Sequence, residues 1–218
     1  TCLPLSLWGQ TPAYDLIIRN GRIIDGTGSP WYSGDVAVRG GRIAAVGTLV
    51  GAKGTTTIDA AGMVVAPGFI DMLGQSDLTI LVNPHLPSKI FQGITTEITG
   101  EGGSVAPLTD TMIAADRLGY EWYKITPDWR TFAEYFARLE RQKIGINMAH
   151  YVGATQVRRL VIGDDDRDPT ADELKKMREL VAQAMRDGAV GLSTSLQYPP
   201  APYAETEELI ALAREAAR

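Results

Sequence analysis

Four short apolar runs, residues 66–71, 93–99, 143–149 and 188–194, end in polar or glycine-rich stretches and are separated by helix-start signals. This alternation constrains the fold most, because strand, helix, strand at such spacing predicts a parallel sheet covered by helices. Thr131 with Glu134, and Thr170 with Glu173, carry the capping-box pattern, in which hydroxyl and carboxylate satisfy backbone donors at a helix start. Phe132, Phe136 and Leu139 form one apolar stripe, and Leu174, Met177, Val181 and Met185 form another. Thr206 is placed to cap a last helix, with Glu207 and Glu208 near the positive end of its dipole. A short helix over 84–92 is expected to turn Ile90 and Phe91 inward.

Before these runs the pattern is different. Residues 14–66 read as a small all-β unit with Asn20-Gly21 and Gly40-Gly41 between β-rich segments, both suited to a two-residue hairpin turn. A further ribbon, 57–59 and 63–65, is joined through Ala60-Ala61-Gly62. Ala66-Pro67-Gly68 marks the change, so 67–218 is expected to be a second unit. Within it, 101–130 reads as a loop-rich insertion. Its Trp122, Tyr123 and Trp129 either line a substrate mouth or tack the loop down.

Composition narrows the chemistry. The chain has 21 Lys plus Arg against 26 Asp plus Glu, a net charge of −5, which gives no support to a nucleic-acid partner. One cysteine excludes an internal disulfide framework or a Cys-built metal cluster. Two histidines, His85 and His150, cannot by themselves hold a metal through three or four imidazoles. No stretch of about 18 apolar residues occurs, so no membrane span is expected. Residues 1–13, apolar and uncharged through Trp8, are expected to be the remnant of an export signal and its lead-in, and the protein secreted or periplasmic.

Residues able to do chemistry cluster at the predicted strand ends: Asp71, Asp77, Glu97, Glu101, Asn147, His150, Ser193 and Thr194. Acids beyond the C-terminal ends of parallel strands stand where metal ligands or bases stand in a barrel or open sheet. None of them forms a specific motif alone. Ser193 and Ser195 lack the Gly-x-Ser-x-Gly nucleophile turn. Asp164-Asp165-Asp166 lacks the alternation of a calcium loop and reads as a solvated turn. His85 reads as a surface residue or cap. His150 is either a site residue or a satisfied core histidine.

The run Tyr14 to Gly28 (YDLIIRNGRIIDGTG), then Gly41 to Gly47 (GRIAAVG), Ile58-Asp59-Ala60 and Val65 to Asp71 (VAPGFID), resembles the opening of amidohydrolase-superfamily enzymes. Gln92 to Thr96, Asn147 to Gly153 and Gly188 to Pro200 extend the likeness, which is closest to the D-aminoacylase, or N-acyl-D-amino-acid deacylase, family. The resemblance spans roughly residues 14–210. It implies an α/β protein: an incomplete (β/α)8 TIM-type barrel, its first four or so strands, preceded by strands of a small β-sandwich. The missing C-terminal half of the barrel is then a required partner. It implies zinc, one ion in the whole protein and none in this chain alone, and a small-molecule amide substrate.

The departures bear on the metal. Where the superfamily has His-x-His after its first strand, this chain has Leu73 and Gln75; where the deacylases have a ligand cysteine and a histidine, it has Gly102 and Ala154. The remaining ligands and the acid–base aspartate are expected beyond residue 218. Glu101 is the one first-half residue expected to reach the metal, its alternative role being a loop cap. Tyr198, Ser193 and His150 are the expected substrate contacts. Two functions follow: a metal-dependent amidase-type deacylase, or a barrel whose site has decayed into a binding or structural module.

Overall fold

The computed structural model describes residues 13–218, so the expected export remnant lies almost wholly outside the described residues. The chain divides into two compact units between Pro67 and Gly68.

The first unit is one sheet. Strands β1 (Tyr14–Ile23), β2 (Tyr32–Arg39), β3 (Arg42–Gly47) and β4 (Gly54–Asp59) lie in the order β3-β2-β1-β4, and β5 (Val64–Val65) also pairs with β1. The Gly40-Gly41 turn joins β2 to β3 with both residues at positive φ, as the hairpin reading expected. Asn20-Gly21 is a correction. β1 runs straight through it, and pairing with β2 slips between Ile18 and Gly21, the mark of a bulge. The reason is tertiary: Asn20 sits at φ 59° while its backbone N–H donates to Asp35 and its side chain to Asp59. The third ribbon is also corrected, because β4 and β5 each run parallel to β1 rather than pairing with one another.

The second unit starts with β6 (Phe69–Asp71), followed by α1 (Thr79–Val82), α2 (Pro87–Ile90) and β7 (Ile94–Thr99). After α3 (Asp110–Ala115), α4 (Arg117–Tyr123) and α5 (Phe132–Gln142) come β8 (Asn147–His150), β9 (Val152–Gly153) and α6 (Ala154–Val161). α7 (Ala171–Arg186), β10 (Leu192–Ser193) and α8 (Thr206–Ala216) complete it. β6, β7 and β8 are parallel neighbours, with Asp71 opposite Glu97 and Thr99 opposite His150. β9 and β10 are parallel as well, and the Val190 N–H donates to the His150 carbonyl, carrying the order across to the last strand.

Both capping boxes are formed, at Thr131–Glu134 and Thr170–Glu173. Trp129, Phe132, Tyr135, Leu139, Val157, Met177, Val181 and Leu212 form the buried core between sheet and helices. Two expectations are corrected, the inward face of the 84–92 helix and the cap at Thr206. Ile90 and Phe91 are 46% and 90% exposed, because α2 is a single turn with no second turn to fix an inner face. The loop-rich insertion 101–130 also carries the short helices α3 and α4. α8 begins at Thr206 itself, with Glu205 in the cap position and no side-chain cap. No helix among the described residues is long and apolar enough to cross a membrane.

Candidate active site

The residues that follow β6, β7 and β10 converge on a cleft of about 470 Å³. Its side chains are Gln75, Asp77, Glu101, Ser195, Gln197 and Tyr198, and glycines supply the rest of its wall. This is the C-terminal rim of the parallel strands, where side chains from successive loops meet because every strand points the same way.

The floor of the cleft is a close crossing of backbones. The Ser193 hydroxyl donates to the Gly100 carbonyl and accepts the Gly102 N–H at 3.0 Å, holding the loop after β7 in place. Gly102 lies at φ +69° with its would-be Cβ 2.8 Å from the Ser195 Cβ, and a Cβ on Gly153 would fall on the Gly102 carbonyl. Gly153→Ala is therefore expected to lower stability by about 1–3 kcal/mol. Gly103→Ala, where nothing lies within 4 Å of the new carbon, is the control and should shift the denaturation midpoint little. Equal midpoints for the two variants would refute the crossing as a constraint.

Behind the cleft wall lies a charged cluster. The Lys89 ammonium is 2.6 Å from Asp71 and 3.4 Å from Glu97. Glu97 is fully buried, its Oε1 accepts the Ser76 N–H at 3.1 Å, and its Oε2 has no partner among the described residues. The hydrogen bond from Lys89 holds the Asp71 carboxyl below the usual carboxylate range. Asp77 goes the other way: burial pushes its carboxyl up, and nearby Glu97 adds to this, against the Leu78 N–H that favours the anion.

The expected site residues are thus divided. Glu101 and Tyr198 face the cleft, and Ser193 acts beneath it as a backbone clip. His150 does not line it. It is 0% exposed, 2.5 Å from the Thr99 hydroxyl, and packed against Phe132, Tyr135 and Phe136 of α5. Burial lowers its pKa to about 3, so the ring is neutral. The substrate contact expected at His150 is corrected for this reason: its side chain points into the helix layer, not to the rim. Asn147 begins β8, at the strand end away from the cleft, and donates to the Thr95 carbonyl. Of the aromatics in the insertion, Trp129 is core, donating to the Val105 carbonyl, whereas Trp122 is 83% exposed. Sequence reasoning missed Ser195 and Gln197 as cleft residues. Their signal was position alone, two and four residues past the β10 serine.

A metal does not fit the residues of this chain alone. Among the described residues no three His, Cys, Asp or Glu come together as a ligand set. Leu73 is exposed and without a donor atom, and the buried Gly102 and Ala154 offer no side-chain ligand either.

A model of the amidohydrolase family matches residues 56–218. The N-acyl-D-glutamate deacylase of Alcaligenes xylosoxydans xylosoxydans is 42% identical over 206 residues, 93% of this chain and 41% of that protein. The N-acyl-D-aspartate deacylase of the same organism is 41% identical over 200 residues, 90% of this chain and 39% of its own length. The chain therefore spans about two fifths of the curated relatives it matches. A crystal structure of N-acyl-D-glutamate deacylase from Bordetella bronchiseptica, with zinc and a phosphonate mimic of the tetrahedral intermediate, superposes with a TM-score of 0.83. Its identity is 42%, over 94% of this chain and 43% of that one. A D-aminoacylase with a binuclear metal centre, described as activated by one metal and attenuated by the second, gives 0.82 at 39% identity, over 93% and 43%.

Proposed function

The chain belongs to the amidohydrolase family, and on that premise we propose that it is part of a hydrolase that cleaves the amide bond of an N-acyl-D-amino acid or a similar small molecule. The carrying observation is the polar cleft at the strand C-terminal rim of a chain that superposes on a deacylase over 94% of its length. In this reading the parallel strands are the first four of a (β/α)8 barrel, and the 14–66 sheet is one part of a small β-sandwich. The rest of the barrel covers the exposed Phe69, Ile70 and Leu73. The apolar segment from Cys2 to Trp8 supports export to the periplasm or beyond.

This chain's share of the reaction is to bind and orient. The Tyr198 phenol and the Gln75 and Gln197 amides present donors and acceptors that can hold an amide substrate in line for attack by water. The whole protein is proposed to hold one zinc on residues outside this chain, with Glu101 its one contact from this half. A second reading, a barrel kept as a binding module, is favoured by Leu73, Gln75, Gly102 and Ala154 at the ligand positions implied by the family resemblance.

Assays of the full-length protein separate the two. Amine release from N-acetyl-D-amino acids, with kcat/KM about 3- to 10-fold lower in Tyr198→Phe, fits loss of one substrate hydrogen bond. Zinc content should be one ion per chain and should fall in Glu101→Gln. Binding without any turnover would replace the hydrolase reading with the second, and unchanged zinc in E101Q would remove Glu101 from the metal.

A further inference from the structure

The relatives differ in the amine component they are named for, with D-glutamate and D-aspartate among them, and the cleft carries information on that choice. Asp77 and Glu101 line it, and none of its lining residues is Lys, Arg or His. The fully buried Glu97 stands directly behind the wall, since a Cβ on Gly74 would fall on its carboxylate. Glu97 adds to the upward push on the Asp77 carboxyl, and its Oε2 has no hydrogen-bond partner among the described residues. Asp71 completes the group. Lys89 is the cation bound to it, in contact with both Asp71 and Glu97. With Glu101 assigned to the zinc, the three carboxylates of Asp71, Asp77 and Glu97 against one ammonium leave this side of the rim electronegative.

Resting on the hydrolase reading, we propose that this cleft selects against an anionic side chain on the amine component of the substrate: the whole protein takes N-acyl derivatives of neutral or basic D-amino acids and rejects those of D-glutamate and D-aspartate. A carboxylate side chain entering here meets Asp77, backed by Glu97, in a partly water-excluded wall, and the described lining offers it no side-chain cation, whereas an ammonium or an amide N–H finds Asp77 and the carbonyl oxygens of the glutamines. Specificity then comes from repulsion of the wrong group as much as from contacts to the right one.

The test compares N-acetyl-D-glutamate, N-acetyl-D-leucine and N-acetyl-D-lysine on the full-length protein, which all share the α-carboxylate and differ in side-chain charge. kcat/KM is read where turnover occurs, and Kd by calorimetry where it does not. The glutamate compound is expected at least about tenfold below the leucine compound, with the lysine compound at or above it. Asp77→Asn should narrow the acidic-to-neutral gap about threefold or more, and raising ionic strength should narrow it in the unaltered protein. The salt series carries the test if D77N does not fold. Turnover with the glutamate compound equal to or better than the leucine compound overturns the inference and leaves the hydrolase reading standing. Discrimination in binding without turnover supports the inference and sinks the hydrolase reading. Failure of all three to bind removes both.

Discussion

Glu208→Ala is expected to cost about 3–5 kcal/mol of stability, the largest effect of any single substitution considered. Arg158 of α6 is 0% exposed and Glu208 of α8 is 3% exposed, and they meet at 2.5 Å. The guanidinium also donates to the carbonyls of Arg167 at 2.6 Å and Asp165 at 3.3 Å, so one side chain fastens two helices and the intervening loop. Burial pushes the Glu208 carboxyl up while Arg158 holds it down, the balance of an ion pair taken out of water. Removing the carboxylate leaves a buried cation whose remaining partners are neutral. Replacing both residues, as in Arg158→Met with Glu208→Leu, removes the desolvation penalty together with the attraction and is expected to be near neutral. Denaturant midpoints for the two single variants and the double variant complete the cycle. A loss below about 1 kcal/mol in E208A would mean that water reaches the pair.

That pair shows where sequence reading stops. Glu208 is visible in the sequence as an acid in the first turn of a helix, a local role, yet its partner lies fifty positions earlier and no local pattern links them. The features that were legible are those decided within a few residues: both capping boxes, the Gly40-Gly41 turn, and the polar loops that end each parallel strand. Asn20-Gly21 has the same local chemistry as a hairpin turn but is claimed by Asp35 and Asp59, so long-range hydrogen bonds override it. The site divides in the same way. Glu101 sits in a loop past a strand end, where the strand pattern alone puts it on the rim, whereas Tyr198 is singled out by the family resemblance. His150 is inside the last turn of pleat, where one residue of register decides between the rim and the helix layer. The aromatic residues of α5 take it into the layer, and of these Tyr135, fully buried, was not part of the stripe read from the sequence.

The burial of His150 makes the fold acid-sensitive in a window of its own. Its pKa is about 3 in the folded chain, against about 6.5 for an exposed imidazole, so below pH 6.5 the unfolded state binds the extra proton. Stability from this residue is fully present above pH 6.5 and is lost progressively as pH falls towards 3. Lowering the pH from 7 to 5 is expected to cost about 2 kcal/mol, and descent to pH 3 about 4 kcal/mol, at about 1.4 kcal/mol per pH unit once the unfolded histidine is charged and before the folded one takes its proton. Carboxylates held low by partners, such as Asp71 and Asp128, act in the same direction only when the pH reaches the ordinary carboxylate range. Asp77 and Glu208, pushed up by burial, act with the opposite sign and take back part of the slope. The histidine share is therefore the difference between the unaltered chain and His150→Gln, which keeps a partner for the Thr99 hydroxyl and cannot take the proton. Denaturation midpoints measured from pH 7 to pH 4.5 should fall more steeply in the unaltered chain than in H150Q. Parallel curves would show that His150 takes its proton in the folded state as readily as in the unfolded one, and with that the closed helix layer around Thr99 and α5 would have to open on protonation.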